Sequence, residues 1–322
     1  MFFFLGVLAL GFMIYKIGLQ TIWDNVRQLK WWFLVVLLLW GFVYVINAIS
    51  FHTIIRDGSP ESKKIRFLRT LKLTISGYAI NTLTPFGLLG GEPYKVIELE
   101  PVLGVQKATS SVLLYAMMHF VSHFIFWMVS IPLLLFIVPV ISLTLKLILS
   151  AAAVASMLLL YWSFTVYTRG FVSRGLSLIS KLPFLGKKVR RYKAKNMEKI
   201  EQMDELIADL YKNRKKDFVW SLSLELVARY ILCFEVILFL SPIGVVIPYS
   251  KSIVIESIQS MVGNLFFFMP LQLGAREGGF VLAFGILSIP VANGVFLSLC
   301  KRVREFFWTL IGLGLIKIKP AK

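Results

Sequence analysis

The sequence has little charge and little cysteine for its length. Of its 322 residues, 16% are charged and 57% are hydrophobic, whereas soluble domains are about 25% charged and roughly 45–50% apolar. This scarcity of charge excludes an ordinary soluble fold. The two cysteines, Cys233 and Cys300, lie inside apolar segments, which excludes a disulfide framework and predicts buried, small hydrophobic side chains.

Acidic residues are scarce as well. The chain has 17 Asp and Glu against 35 Lys and Arg, and its formal net charge is +18. In a soluble protein such a charge would suggest a nucleic-acid partner. Here the basic residues lie between apolar segments, as the positive-inside rule predicts for membrane proteins. We therefore expect membrane lipids as partners and no nucleic acid.

The sequence also lacks the common motifs of cofactor chemistry. It has no P-loop, no dinucleotide-binding fingerprint and no nucleophile elbow. His119 and His123 have the i,i+4 spacing of metal ligands, but no H-E-x-x-H pattern surrounds them. Polar contacts between helices are the favoured interpretation of this pair, and proton coupling stays open because histidine titrates near neutral pH. We expect no cofactor, no metal and no enzymatic activity.

What the sequence does have is long apolar segments. They cover approximately residues 2–19, 31–55, 67–91, 108–131, 133–165, 217–240, 251–289 and 291–316. About 20 apolar residues suffice for a helix to cross a bilayer. The first segment follows Met1 with no basic region and no cleavage site, which predicts a retained helix. We predict an all-α polytopic membrane protein with roughly six spanning helices.

Two of these segments are interrupted by proline and glycine. Segment 67–91 ends in Pro-Phe-Gly-Leu-Leu-Gly-Gly, and segment 251–289 contains Pro-Leu-Gln-Leu-Gly-Ala-Arg-Glu-Gly-Gly. Such residues break helices, and irregular backbone at membrane depth occurs only where protein buries it or where it lines a wet cavity. Both segments are predicted to be re-entrant or broken helices. The residues predicted to shape the breaks are Pro85, Gly90, Gly91, Pro270, Gly274 and Gly278.

The order of the segments predicts an inverted repeat. Residues 1–131 contain two spans, the re-entrant element 67–91 and a third span. Residues 132–322 repeat this order in the opposite orientation around the re-entrant element 251–289. They also carry a basic cytoplasmic helical insertion at 168–217.

The two broken segments match each other in sequence. Glu92 and Glu277 each follow the proline of their segment by seven residues, and Asn81 and Asn264 precede it. Inverted repeats with discontinuous helices are typical of secondary transporters. Chance kinks at proline and glycine are the alternative explanation.

The distribution of Lys and Arg predicts the orientation. Segments 56–72, 168–217 and 301–322 are rich in basic residues and are predicted to be cytoplasmic. Both termini then lie on the cytoplasmic side of the cell (inner) membrane. Within 168–217, a solvated hairpin under the bundle is the plainer interpretation, and capture of lipid headgroups by a basic amphipathic helix is the alternative.

Charged residues inside apolar segments cost about 2.5–3.5 kcal/mol each on insertion scales, so each needs a partner or a function. Glu225 and Arg229 are four residues apart on one predicted helix face and can pair with each other. Arg302 and Arg304 interrupt the last span. They either complete an anion site or mark a helix end at the membrane interface.

The second break holds the strongest candidate for ligand binding. Arg276 and Glu277 lie inside it, and a guanidinium beside exposed helix amides suits a phosphate. Glu92 and Lys95 occupy the equivalent place in the first half. The predicted substrate-binding residues are Arg276, Glu277, Glu92, Lys95, Asn81, Asn264, Glu225, Arg229, Arg302 and Arg304.

At these motifs the sequence resembles the lysylphosphatidylglycerol synthase transmembrane-region family of flippase-like membrane proteins. Asn81 to Lys95 reads Asn-x3-Pro-x-Gly-x2-Gly-Gly-Glu-x2-Lys, which is similar to the family's Asn…Pro…Gly-Glu…Arg signature with Lys in place of the commoner Arg. The stretch from Pro270 to Gly278 is similar to its Pro…Gly-x-Arg-Glu-Gly signature. The basic stretch before Phe306 is similar to the family's final helix.

The resemblance implies a membrane-embedded lipid translocase fold. In the bifunctional synthases of the family, this region is followed by a cytosolic aminoacyl-transfer domain, which these 322 residues do not contain. We therefore expect a flippase-like transporter that moves an anionic or phosphate-bearing lipid, such as an anionic phospholipid or a polyprenyl phosphate. The alternatives are a non-catalytic membrane partner of a lipid- or glycan-modifying enzyme, a membrane-embedded lipid-modifying enzyme, and a transporter of small solutes.

Overall fold

The structure is a computed structural model that describes residues 27, 29–84, 88–138, 142–181, 186–266, 272 and 274–318. These residues form 13 α-helices, one short 3-10 helix at Ser241–Ile243, and no strand. The helices are α1 (Trp32–Ile55), α2 (Pro60–Lys63), α3 (Phe67–Leu83), α4 (Leu88–Leu103), α5 (Val105–Ile137), α6 (Leu143–Arg169), α7 (Phe171–Ile179), α8 (Gly186–Lys195), α9 (Met197–Lys212), α10 (Lys215–Leu240), α11 (Tyr249–Leu265), α12 (Ala275–Ile286) and α13 (Val291–Ile316). The predicted all-α polytopic fold is confirmed. The predicted span 2–19, Pro85 and Pro270 lie outside the described residues.

Long apolar helices make this a membrane protein. Within the described residues, four stretches are long and apolar enough to cross a bilayer. They are Trp32–Ile55, Val105–Ile137, Lys146–Ser163 and Lys215–Ile243. Helix α13 has 26 residues, so at 1.5 Å per residue it is about 39 Å long, which also exceeds the hydrocarbon thickness.

Helix α5 is longer than its sequence suggests. It runs to Ile137, past the predicted repeat boundary at residue 131, and Pro132 lies inside it. A proline inside a membrane helix is tolerated where neighbouring groups satisfy the freed backbone carbonyl. The chain therefore leaves α5 after Ile137 and not at the proline.

The first proline- and glycine-rich segment forms a helical hairpin. The Arg69 guanidinium at the start of α3 contacts the backbone carbonyl of Glu98 near the end of α4, so the two arms are antiparallel. A β-carbon at Gly91 would lie 2.3 Å from the carbonyl oxygen of Gly77. The arms of this first hairpin thus touch backbone to backbone, which only glycine permits.

The second such segment forms a second hairpin from α11 and α12. A β-carbon at Gly279 would lie 3.1 Å from the Cα of Gln259, which again shows close antiparallel arms. Helix α12 begins after Gly274, whose φ of 82° lies in the left-handed region that favours glycine. The predicted shaping residue Gly278 has open space where a β-carbon would lie.

The two hairpins pack on opposite halves of the chain. Helix α3 packs on α13, where a β-carbon at Gly312 would lie 2.5 Å from the Cβ of Ala79. Helix α11 packs on α5, where the indole N–H of Trp127 donates to the Ser260 hydroxyl at 2.8 Å. The first arm of each hairpin therefore packs against the last long helix of the other half of the chain.

Helices α1 and α10 cross antiparallel at the centre of the bundle. Val43 and Ala228 pack together at the crossing, and the hydroxyls of Ser50 and Ser221 are 2.7 Å apart nearer one end. Two apolar cores flank this crossing. One core is built mainly from the start of α1, the end of α10 and α11 to α13. The other is built mainly from the end of α1 and from α3, α4 and α5.

The inserted segment folds as three helices, α7 to α9. The Asp204 carboxylate accepts the backbone N–H groups of Val172 and Ser173 at 2.6 and 3.1 Å, which ties α9 to the start of α7. Ile207 and Leu210 of α9 are buried in the core that contains α5. Helix α8 has the sequence GKKVRRYKAK, with six basic residues and no acidic residue.

Candidate substrate site

Buried charged and polar side chains form two groups beside the hairpin tips. The first charge cluster consists of Asn81, Glu92, Lys95, His119, His123, Glu225 and Arg229. The second charge cluster consists of Glu235, Glu256, Arg276, Glu277, Lys301, Arg302, Arg304 and Glu305. Nine of the ten predicted substrate-binding residues fall in these two clusters.

In the first charge cluster, Asn81 joins the two arms of the first hairpin. Its Nδ2 donates to Glu92 Oε2 at 3.0 Å, and its Oδ1 accepts the N–H of Gly91 at 2.8 Å. Lys95 Nζ donates to Glu92 Oε1 at 3.0 Å and lies 4.9 Å from the ring centroid of Tyr115. The buried Lys95 is thus held by one carboxylate and one aromatic face.

Glu225 and Arg229 do not form the expected pair in the described structure. Each faces a histidine of α5, because α5 runs alongside α10 with the same four-residue spacing. His119 Nδ1 is 2.9 Å from Glu225 Oε2, and an Arg229 terminal nitrogen is 2.9 Å from His123 Nδ1. Arg229 also donates to the Ser122 hydroxyl at 2.6 Å and to the His119 carbonyl at 2.7 Å. The histidines therefore make polar contacts between helices.

In the second charge cluster, Arg302 and Arg304 lie inside a continuous helix. Helix α13 runs unbroken from Val291 to Ile316, and the two arginine side chains are only 4% and 3% exposed. The alternative of a helix end at the membrane interface is therefore wrong. These cations belong to the interior of the bundle.

The tip of the second hairpin is held by crossed ion pairs. Arg276 pairs with Glu305 of α13, and Arg302 of α13 pairs with Glu277 of α12 at 3.2 Å. Gln272 joins them: its side-chain oxygen accepts from Arg276 Nε at 2.8 Å, and its carbonyl accepts from Arg302 at 3.2 Å. Arg276 and Glu277 are adjacent in sequence, and residues of α13 together with Gln272 join them in one network.

The deepest part of this cluster contains residues outside the predicted binding set. The Glu235 carboxylate accepts from Arg304 Nε and Lys301 Nζ, both at 2.9 Å, and Lys301 also pairs with Glu256. The Arg304 guanidinium stacks on the Trp40 ring. The sequence signal for these residues was the same in each case, a charge inside an apolar segment.

Charge is balanced in both clusters. The second holds four cations, Arg276, Lys301, Arg302 and Arg304, and four carboxylates, Glu235, Glu256, Glu277 and Glu305. The first holds two cations, Lys95 and Arg229, and two carboxylates, Glu92 and Glu225. Such balance permits burial of charge. An anionic ligand must therefore displace a carboxylate or arrive with a proton.

Three members of the clusters are open enough to meet a ligand. The side chain of His119 is 41% exposed, that of Glu277 is 31% exposed and that of Arg276 is 29% exposed. Asn264 donates to the Ser260 carbonyl within α11 at 2.7 Å. Among the described residues, it makes no bridge between hairpin arms like that of Asn81.

Outside the spanning segments, one ion pair fixes the loop after α1. Lys107 Nζ lies 2.5 Å from Asp57 Oδ2 and also donates to the Ser59 hydroxyl. Burial alone would raise the pKa of Asp57, but hydrogen bonds from Lys107 and Ser59 lower it to about 2. A cavity of about 760 Å³ adjoins this pair, between α9 and the start of α5, and is lined by neither charge cluster.

Comparison with known proteins places the chain in a family. A family model described as the lysylphosphatidylglycerol synthase TM region matches residues 2–314. The chain belongs to the lysylphosphatidylglycerol synthase transmembrane-region family. No curated protein and no solved structure matched the chain.

Membership in the lysylphosphatidylglycerol synthase transmembrane-region family implies a lipid-related role in a membrane. The match covers every described helix except the last residues of α13. Where the structure describes the two signature stretches, at 81–84, 88–95, 272 and 274–278, they lie beside the break between the arms of each hairpin. Of their charged members, Arg276 and Glu277 pair with residues of α13, and Lys95 lies over the Tyr115 ring of α5.

Proposed function

We propose that this protein is a non-enzymatic lipid translocase, or flippase-like transporter, of the cell (inner) membrane. It moves an anionic or phosphate-bearing lipid between leaflets, with both termini on the cytoplasmic side. The observation that carries the proposal is Arg276, whose partly exposed side chain lies at the start of the second arm of a broken hairpin inside the bundle. Guanidinium groups bind phosphate bidentately, and Glu305 is the partner that a headgroup would replace.

The supporting architecture is an inverted repeat of the two halves. Residues whose numbers differ by 185 occupy corresponding places, as Val43 and Ala228 do at the central crossing. Three contacts between the halves recur under this offset. The His119–Glu225 contact corresponds to the Arg304–Trp40 contact. The His123–Arg229 contact corresponds to Trp308–Tyr44. The Trp127–Ser260 contact corresponds to Gly312–Ile75. Chance kinks at proline and glycine would not reproduce contacts between helices.

This architecture suits transport across the bilayer. Inverted repeats with broken helices bind substrate near the midplane and rock about the site to expose it to either side. Here each hairpin packs against a long helix of the other half. If the two halves moved relative to each other, both hairpin tips would therefore change position. The antiparallel crossing at Val43 and Ala228 is the proposed pivot.

Within the site, the roles follow from charge and exposure. Arg276 and Lys95 neutralise the phosphate, one at each hairpin tip, and Arg229, Arg302 and the more deeply buried Arg304 add positive potential. Until the headgroup arrives, Glu277 holds Arg302 in place and Glu92 holds Lys95. The apolar acyl or prenyl tail stays in the surrounding lipid while the headgroup crosses, so it needs no channel through the protein.

The test is lipid movement by the purified chain in liposomes. A fluorescent phosphatidylglycerol or polyprenyl phosphate is placed in both leaflets, and a membrane-impermeant quencher reports how fast inner label reaches the outer surface. We expect Arg276→Ala to slow this movement by at least about tenfold, the effect of losing one hydrogen bond to a charged group. The matched control is Arg191→Ala on α8, which also removes one arginine and should retain the wild-type rate.

Two results would contradict the proposal. Wild-type protein that moves no phosphate-bearing lipid faster than protein-free liposomes, with or without an imposed pH gradient, would overturn the translocase function. It would favour the alternative in which the helices of segment 168–217 dock a lipid- or glycan-modifying enzyme. Wild-type rates in Arg276→Ala would overturn the assignment of Arg276.

A further inference from the structure

The two charge clusters differ in one residue type, because the first contains two histidines and the second contains none. His119 and Arg304 stand at corresponding positions under the 185-residue offset. Arg304 is permanently charged and is balanced by Glu235. Histidine gains or loses its charge near neutral pH. The first charge cluster can therefore switch its net charge by one, whereas the second contains no histidine.

Partner chemistry distinguishes the two histidines of the first charge cluster. Arginine has only donors, so the Nδ1 of His123 must accept from Arg229 and cannot carry a proton. An ionised carboxylate only accepts, so the Nδ1 of His119 donates to Glu225. A further proton then binds the Nε2 of His119, on a ring that is 41% exposed.

Charged groups face His119 from two helices, α4 and α10. Helix α4 contributes Glu92, which acts electrostatically on His119, and Lys95 beside it. Helix α10 contributes Glu225 in direct contact and Arg229, which holds the His119 carbonyl. The other helices that pack on α5 contribute uncharged residues. Phe51 of α1, Leu160 of α6 and Ile207 of α9 belong to the apolar core around α5, and Ser260 of α11 accepts from Trp127 of α5.

These groups set the charge of the site in each protonation state. With both histidines neutral, the two cations and two carboxylates cancel. A proton on His119 gives the cluster a net charge of +1, and one phosphodiester then restores neutrality. In a low-dielectric interior this balanced, loaded state is favoured over a site with an unpaired charge.

We propose that the first charge cluster is a proton-coupled anion site, in which His119 takes up one proton for each phosphate-bearing headgroup that binds. The inference rests on the proposed lipid translocation and names its coupling ion. The proton comes from water and binds Nε2 without any covalent step. Its release with the headgroup would link lipid movement to the proton gradient across the membrane.

The test measures proton uptake on binding and needs no transport. Glycerophosphoglycerol is titrated into the detergent-solubilised full chain, because this phosphodiester keeps its charge throughout the pH range used. Calorimetry at about pH 8 in two buffers of different ionisation enthalpy gives the number of protons taken up per anion. We expect about one proton for wild type, with affinity rising up to about tenfold for each pH unit of acidification.

Variants assign the proton to one of the three histidines. His119→Gln keeps a hydrogen bond to Glu225 but cannot become charged, and it should take up no proton and bind with pH-independent affinity. The matched control is His52→Gln, since His52 lies at the end of α1, where it contacts Thr70 at 3.0 Å. It should behave as wild type.

The outcomes separate this inference from the proposed function. Equal proton uptake by wild type and His119→Gln overturns the assignment of His119. Lipid movement by a wild-type chain whose anion binding is independent of pH overturns the coupling but leaves translocation. Proton-linked binding without lipid movement overturns translocation and leaves the site. Wild type that binds no anion at any pH overturns the anion site itself.

Discussion

The guanidinium carbon of Arg304 lies 3.7 Å from the centroid of the Trp40 ring. This contact joins the last helix, α13, to the first described long helix, α1. The same guanidinium donates to Glu235 of α10 at 2.9 Å. One arginine therefore links three helices from both halves of the chain, and we interpret the buried part of the second charge cluster as a clamp between the halves.

Loss of the shared carboxylate should destabilise the fold. Glu235→Gln removes the negative charge between Lys301 and Arg304, two cations that are almost fully buried. Leaving a buried charge without its partner costs about 3–5 kcal/mol, so we expect a clear fall in Tm for the detergent-solubilised protein. The control Glu198→Gln lies on the exposed side of α9 and should melt as wild type does. Equal Tm values for both variants would show that the clamp contributes nothing.

Two glycines of the first hairpin should respond differently to alanine. At Gly91 the new β-carbon would lie 2.3 Å from the backbone oxygen of Gly77, which cannot move away. At Gly77 it would lie 2.5 Å from Cε of Lys95, a flexible side chain that can. We expect Gly91→Ala to lower Tm, with a cost of about 1–3 kcal/mol typical of overpacking, and Gly77→Ala to melt near wild type.

The glycine pair also separates stability from binding. In Gly77→Ala the stem of Lys95 shifts while its ammonium stays paired with Glu92, so the site is distorted and anion binding should weaken although the protein stays folded. Titration of the two variants with glycerophosphoglycerol checks this. A Gly77→Ala protein that is unfolded, or one that binds as wild type does, would contradict the packing argument.

The ion pair between Asp57 and Lys107, in the loop after α1, should make stability depend on acid pH. The pKa of Asp57 is about 2 in the folded protein, below its value in an unfolded chain, so the pair stabilises the fold above about pH 4 and loses this effect as pH falls toward 2. Because the pair is partly open to water, we expect about 1 kcal/mol. Asp57→Asn should lower Tm at neutral pH, with the difference shrinking as pH falls through about 2, and Glu100→Gln is an exposed control. A difference in Tm that persists unchanged in acid would contradict this assignment.

The sequence was most informative where one residue type has one structural consequence. Runs of proline and glycine predicted the two breaks, because several such residues in a short stretch interrupt a helix. Charges inside apolar segments predicted most of the two clusters, because each must find a partner or function. Helix α5 passed through Pro132 because a single proline inside a long membrane helix is not sufficient to end it.

Pairing between distant residues could not be predicted in the same way. The i,i+4 spacing of Glu225 and Arg229 suggested a pair within α10, but the histidines of α5 compete for both. Nothing in the spacing of α10 shows which helix lies beside it. The partners of Glu235 could not be predicted for the same reason, since they lie on α13, about 70 residues away in sequence.

The central claim is that the chain itself moves a phosphate-bearing lipid, and the most direct test compares two lipids in the same liposomes. Wild-type protein is reconstituted with fluorescent phosphatidylglycerol or with a fluorescent neutral lipid of the same chain length, and quenching of inner-leaflet label is followed. We predict at least about tenfold faster movement than in protein-free liposomes for the phosphate-bearing lipid alone, since the site is built to neutralise a headgroup charge. No acceleration, or equal acceleration of both lipids, would contradict the account.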